Sequence, residues 1–363
     1  MTRGGFRYIF YRRILFVRPG AEGSAPRKTI PRGGNALAKP LIWTDFPLHP
    51  DGLRLLKEHA EIAGPYANLD APEAWAALAK ADGVVISSRP PADGAWMDRA
   101  PRLRVISRSG IGYDNVDVDA ATARGICVVN TPDAPSEPTA EQAVTFILML
   151  ARRIKESDRA LSEGRWLPRP QLEGTEVMGK KLGIIGLGRI GGRVAEVCGL
   201  GLRMQVLAYD PYIPDERFWA RGARKVSSLE ELLAEADFVT LHCPATPETR
   251  GMADRAFFAR MKKGSFFVNT ARGSIMVEAD LLSALKSGHL AAAALDVFEQ
   301  EPTPPDNPLL RLPNVVVSPH AASNSAEGNR RMVVGAVTQA FQVLGNERPP
   351  ALVNPEVWDK RRR

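Results

Sequence analysis

Lys181-Leu-Gly-Ile-Ile-Gly-Leu-Gly-Arg-Ile-Gly191 decides the reading of this chain. Leu182 to Ile185 is a short apolar run, as in a buried strand, and Val194, Ala195 and Val197 continue as the apolar side of a helix. Between them Gly186, Gly188 and Gly191 stand in G-x-G-x-x-G spacing. In such a turn the first glycine allows the tight bend and the second lets a pyrophosphate approach the backbone. The third lets helix and strand pack closely, and the first helical amides then face the phosphates. A second strand, Gln205 to Tyr209, ends in Asp210, 24 residues after Gly186, where an acid binds the ribose. A bare glycine motif is weak evidence, but a flanking strand, helix and terminal acid make it a dinucleotide site. A carboxylate at Asp210 accepts from ribose hydroxyls and repels a 2′-phosphate, and Pro211 and Tyr212 bring no arginine, which favours NAD over NADP. The competing reading of Asp210 is a plain Asp-Pro turn.

Outward from this motif, 363 residues predict two domains. A hydrophobic content of 44% and a charged content of 25% are those of a globular protein, and no apolar run is long enough to span a membrane. Cys127, Cys198 and Cys243 are scattered and form no C-x-x-C, which predicts a reducing, cytoplasmic setting and no structural metal. The net charge of +7 is unevenly placed: residues 1–40 hold nine Lys/Arg against the single acid Glu22. Lys360 to Arg363 are basic as well. The remainder is nearly neutral, and no groove-reading motif accompanies the basic ends, so nucleic acid is an unexpected partner. Residues 1–39 are read as a basic, flexible extension and 356–363 as a basic tail.

From Pro40 onward, apolar runs alternate with helical stretches, the pattern of β-α-β units and parallel sheets. Strands are expected at Leu41–Thr44, 83–87, 104–107 and 126–130, with helices at 52–62, 72–79 and 119–124. Thr139 to Gly164 reads as one long helix with a wide apolar face, a reasonable dimer interface. Residues 165–179 read as a linker before the series that begins at Lys181. Ser228 to Glu231 is a capping box. The fold class is therefore α/β, with two Rossmann- or flavodoxin-like parallel-sheet units and the ligand cleft between them.

Three polar residues follow strand-like runs of the second unit. They are Arg272 in Asn269-Thr-Ala-Arg-Gly273, Glu301 in Asp296-Val-Phe-Glu-Gln-Glu-Pro302, and His320 in Ser318-Pro-His320. Reducing a 2-oxo acid needs a cation for the carboxylate, and guanidinium binds carboxylate bidentately. It also needs a proton donor for the developing alkoxide, which histidine supplies at neutral pH, and a carboxylate beside the imidazole favours its protonated form. Taken singly, Arg272 reads equally as a loop residue, Glu301 has a rival in Glu299, and His320 has a rival in His242.

Together with Ser109-Gly-Ile-Gly-Tyr-Asp-Asn-Val-Asp117, these motifs resemble the D-isomer-specific 2-hydroxyacid dehydrogenase family over roughly residues 80 to 345. The resemblance implies that Arg272 holds the substrate carboxylate, that Glu301, the acid directly before Pro302, pairs with His320, and that His320 is the general acid/base. It also implies backbone amides of Ser109, Gly110, Ile111 and Gly112 at that carboxylate. Arg189 and Ile190 would lie at the pyrophosphate, Pro244 and Thr249 at the adenosine side, Thr270 and Ala271 beside the cofactor, and Asp296 at the nicotinamide carboxamide. In the family the nucleotide domain is inserted into the catalytic one. The implied division is 40–135 with 326–355 for substrate and 136–325 for NAD, usually in a homodimer. The reaction is then hydride transfer between nicotinamide C4 and substrate C2. Ala321-Ala-Ser-Asn-Ser325 is similar to the branch with glyoxylate/hydroxypyruvate reductases and the C-terminal-binding corepressors, so an NADH-sensing binding module is the alternative. A dehydrogenase of formate or phosphonate is a third reading. Ser87 and Ser88 precede Arg89 where phosphoglycerate enzymes carry a further arginine, an argument against a phosphorylated substrate.

Overall fold

The computed structural model describes residues 39–363, so the reading of the basic extension lies outside the described residues. Strands β1 (Leu41–Thr44), β2 (Glu61–Ala63), β3 (Gly83–Ile86), β4 (Val105–Arg108) and β5 (Cys127–Val129) form a parallel sheet in the order 2-1-3-4-5. A second parallel sheet holds β6 (Lys181–Ile185), β7 (Gln205–Tyr209), β8 (Arg224–Lys225), β9 (Phe238–Leu241), β10 (Ser265–Asn269), β11 (Leu290–Leu295) and β12 (Val315–Val317), in the order 12-11-10-9-6-7-8. Counted from β6, that order runs 3-2-1-4-5-6 and adds one strand, the doubly wound arrangement whose direction reverses between β6 and β9. The first sheet has flavodoxin-like order.

Strands covered on both faces must be apolar throughout. Val84, Val85 and Ile86 are fully buried, and so are Val239, Val268 and Ala294. One face of the second sheet packs Leu241, Phe267 and Leu295 against Phe257, Phe258 and Leu281. The other packs Ile184, Val268 and Ala294 against Ala143, Phe146 and Ile147 of the helix Ser136–Ala151. Caps set several helix starts: Asp254 accepts from Phe257 N, and Ser325 from Gly328 N. The expected box at Ser228 forms only half. Ser228 Oγ accepts from Glu231 N, but the Glu231 carboxylate reaches back to Ser227.

The helix Ala326–Leu344 leaves the second sheet and lies on the first. Ser107 Oγ donates to Ala336 O (2.8 Å) and Gln339 Nε2 to Asn130 O (2.6 Å). Val353 N then bonds Val128 O, and Asn354 Oδ1 accepts from Val128 N. The basic tail docks as well, with Arg362 N donating to Gly125 O (2.8 Å).

Three element readings need correction. The helix expected to run through Ile62 ends at His59, and Glu61–Ala63 is an edge strand beside β1. The single helix over Thr139–Gly164 is two, Ser136–Ala151 and Ile154–Ser162, broken where Arg153 takes a left-handed backbone (φ 52°). Thr175 N takes the Ala151 carbonyl and Gly174 lies against it, so the linker itself caps the first helix. The apolar face of that first helix is core against the sheet and is not free to form a dimer interface.

Candidate active site

The glycine turn leaves β6 at the switch point. Gly186 has φ 90° and lies against the backbone of His242 and Cys243, where a Cβ has no room. At Gly191 a Cβ would overlap the Gly186 carbonyl, so the helix Arg189–Glu196 seats on the turn itself. At Gly188 a Cβ would meet no atom within 4 Å. The first and third glycines are therefore required by the protein, and the second opens onto empty space. Ile190 packs on the core while Arg189 faces out, paired with Asp133. Asp210 ends β7. Its Oδ2 accepts from Leu187 N (2.9 Å) and its Oδ1 from Tyr212 N (3.0 Å), which ties it to the glycine turn. Thr249 braces its own loop instead of pointing away from it: Oγ1 donates to Pro244 O (2.6 Å) and accepts from Thr246 N.

The ends of β10, β11 and β12 bring the other groups together. Asn269 folds the segment after β10, accepting from Ala271 N and donating to Arg272 O. Gly273 lies so close to the Phe298 carbonyl that no side chain fits there. Thr270 Oγ1 is buried without a partner. Asp296 is buried at the end of β11, and its carboxylate accepts from Ser318 Oγ, Ala321 N and Ala322 N. Burial raises its pKa against those hydrogen bonds. Its main structural work is thus to shape the 318–322 turn, in which His320 N bonds Asp296 O (2.7 Å) and His320 itself has φ 51°. A left-handed backbone costs a non-glycine residue roughly 1 kcal/mol or more, so the turn holds His320 in place by these bonds.

His320 Nδ1 meets Glu301 Oε2 at 2.6 Å, and Glu301 Oε1 accepts from Phe298 N (3.0 Å). Burial pushes the Glu301 carboxyl up, but the His320 bond, the Phe298 amide and the charges of His320 and Arg272 outweigh it, and the net direction is down. Nε2 of His320 takes no hydrogen bond among the described residues, and the side chain is partly exposed. Glu299 is excluded as the partner, because it exchanges backbone contacts with Glu278. His242 is excluded as the base. Nε2 bonds Thr240 Oγ1, Nδ1 is buried without a partner, and burial pushes its pKa down to about 3.

Arg272 crosses to the first sheet. Nε and Nη2 both donate to Asp114 Oδ2 (3.1 and 3.0 Å), and Nη1 donates to Ala271 O (2.7 Å). The loop after β4 lies against it, with Gly112 so close to Nη2 that a Cβ would overlap the guanidinium. Two of the four amides expected at a substrate are already engaged: Ser109 N bonds Ile86 O and Gly110 N bonds Thr131 Oγ1 (both 2.9 Å). Among the described residues only the amides of Ile111 and Gly112 remain open, so the expectation narrows to these. Arg108, unassigned from sequence, ends β4 beside this loop. Its Nη1 donates to Ser109 O, and its Nε is buried without a partner. Burial, with the nearby charge of Arg272, pushes its pKa down to about 10. The available signal was a charge ending an otherwise buried strand. Asp114, also missed, lies 158 residues from Arg272 in sequence.

Open space at Gly188, an uncapped helix start, an acid at the end of β7 and the unpartnered Thr270 hydroxyl fit a dinucleotide laid across the carboxyl ends of the strands. Among the described residues no cluster of ligands for a metal occurs.

Residues 144–322 match the model of the D-isomer specific 2-hydroxyacid dehydrogenase NAD binding domain. The chain is 41% identical over 314 residues to D-3-phosphoglycerate dehydrogenase of Methanocaldococcus jannaschii, covering 86% of this chain but 59% of that protein. This chain thus spans little more than half the length of that curated relative. It is 41% identical over 327 residues to glyoxylate reductase of Korarchaeum cryptofilum, covering 88% of this chain and 97% of that one. Among solved structures it is similar to D-lactate dehydrogenase of Aquifex aeolicus complexed with NAD and lactic acid, at TM-score 0.74 and 27% identity, over 84% of this chain and 95% of that one. Geometry and comparisons converge: the chain belongs to the D-isomer specific 2-hydroxyacid dehydrogenase family.

Proposed function

We propose that the protein is an NAD-dependent 2-oxo acid reductase, interconverting a 2-oxo acid and its D-2-hydroxy acid. The observation that carries this reading is the His320–Glu301 pair with the Arg272 guanidinium close enough for its charge to act on Glu301. The nicotinamide, when bound, supplies or takes the hydride. The substrate carboxylate is held by the open N–H groups of Arg272 and by the Ile111 and Gly112 amides. His320 Nε2 gives the proton to the C2 oxygen in reduction and takes it in oxidation. Glu301 holds Nδ1 and so fixes the orientation of the imidazole ring. Residues 40–135 with 326–355 carry the substrate side and 136–325 the cofactor side.

Relatives include a phosphoglycerate dehydrogenase and a glyoxylate reductase, whose named substrates differ in size and charge. Arg108 supports the larger class, a 2-oxo acid with a second acidic group, because its buried Nε has no partner and a further anion beside Arg108 and Arg272 would be favoured, although Asp45 and Asp114 already offset part of the charge. NADH oxidation is to be followed with glyoxylate, pyruvate and hydroxypyruvate against phosphohydroxypyruvate and oxaloacetate, with NADPH in parallel. Turnover that prefers NADH supports the reading, and preference for the dianions supports Arg108. Turnover with NADPH alone would overturn the role of Asp210, and silence across the panel the activity itself. We place the enzyme in the cytoplasm as a homodimer. Its three free cysteines, with thiols raised to about 11, 12 and 11 by burial, suit a reducing compartment. Among the described residues no helix is long and apolar enough to cross a membrane.

A further inference from the structure

From the donors of one guanidinium we infer that Asp114 is a positioning residue, one that turns Arg272 so that its Nη1–Nη2 end faces the substrate. The inference rests on the proposed role of Arg272. A guanidinium carries five N–H donors in a rigid plane. Asp114 Oδ2 takes Nε–H and one Nη2–H, which together form the side edge of the plane, and the Ala271 carbonyl takes one Nη1–H. One N–H on each of Nη1 and Nη2 remains, and these two form the end edge, a bidentate fork of the right width for a carboxylate. Asp114 comes from the first sheet and Arg272 from the second, so the fork is aimed only when both sides of the cleft are in place. Gly112, whose Cβ would overlap Nη2 and crowd Asp114 Oδ2, leaves the loop no slack around the pair.

Asp114 itself is more than half exposed, with a side-chain exposure of 57%. An exposed pair of this kind adds little to stability, so its loss leaves the fold intact. What changes is geometry. Without Asp114 the side edge is open, and a substrate carboxylate can pair there in an unproductive pose, with C2 displaced from His320. Such misplacement lowers kcat more than it raises KM, by about 100-fold.

The experiment compares wild type, D114A, D114N and R272A on the best substrate of the panel, with melting temperature and NADH affinity measured for each. The expected result is a kcat about 100-fold lower in D114A, with KM moved far less, NADH affinity and melting unchanged, and a smaller loss in D114N. Acetate added to the assay should restore part of the D114A rate by refilling the side edge, which a merely structural residue would not allow. If R272A kills turnover while D114A keeps wild-type kcat, the inference falls and the proposed function stands. If R272A is active, the clamp reading falls and takes the inference with it. A D114A loss that appears only in KM, or that acetate leaves untouched, also overturns it.

Discussion

Glu299 and Glu301 carry the same carboxylate two residues apart, and their surroundings separate them. Glu299 closes a backbone exchange with Glu278, whereas Glu301 receives His320 Nδ1 and the Phe298 amide. Glu301→Gln should therefore lower kcat strongly and Glu299→Gln hardly at all. His320→Ala should lower turnover by about 10²- to 10⁴-fold with NADH affinity nearly intact. Loss of NADH binding in that variant would contradict the role of His320 as acid/base. Acid stability carries a second signature. The Glu301 carboxyl titrates below its unfolded value near 4.3. Its contribution to stability is present above that value and is lost as pH falls through the lowered folded one. Urea midpoints of Glu301→Gln and wild type should thus converge between about pH 5 and pH 3, and a gap that widens on acidification would refute the pairing. Glu301 was legible through the family resemblance, in which the acid directly before the proline pairs with the histidine. Asp114 was not, because nothing in the residues between it and Arg272 announces that they meet.

At the scale of elements, the three glycines of one turn make separable predictions. Gly191→Ala forces a methyl into the Gly186 carbonyl and should cost about 1–3 kcal/mol in denaturant unfolding. Gly188→Ala meets no protein atom, so stability should hold or rise slightly. Its methyl would instead enter the space assigned to the pyrophosphate, and NADH should bind about tenfold more weakly or worse, roughly 1.4 kcal/mol. NADH titrated by fluorescence checks this, and unchanged affinity in Gly188→Ala would remove the pyrophosphate from the turn. These elements were legible because strand, turn and helix are contiguous, so a local pattern suffices. The short edge strands β2 and β8 were not, since two or three residues carry no period and pair only because a neighbouring strand offers them hydrogen bonds. The helix break at Arg153 was hidden for a similar reason. The apolar spacing runs on through it, and the cap comes from Gly174–Thr175, more than twenty residues downstream.

For the whole molecule, both sheets follow from apolar runs with helical stretches between them, while the outer surface was misread. The long apolar helix face turns inward, and three of the exposed apolar side chains follow just after it: Ile154, Leu161 and, at 87% exposure, Trp166. Beside them opens a cavity of about 720 Å³, lined on the sheet side by Phe266, Ala292 and Val316 and on the helix side by the charged Arg153, Glu156 and Arg159. A second copy is the occupant these features suit, since an isologous pairing covers both patches at once. Burying a tryptophan removes on the order of 150–250 Å² from water. At about 25 cal/mol per Å² this is roughly 4–6 kcal/mol for each copy, comparable with the entropic cost of association, about 4–15 kcal/mol. Trp166 thus decides the balance. Light scattering should give twice the 39.6 kDa of one chain for the wild type. Trp166→Ala should shift the protein toward monomer at micromolar concentration with NADH binding preserved, because the glycine turn proposed to hold the cofactor lies at the opposite end of the sheet. A monomeric wild type would end the dimer claim. A dimer indifferent to Trp166→Ala would move the interface to another face.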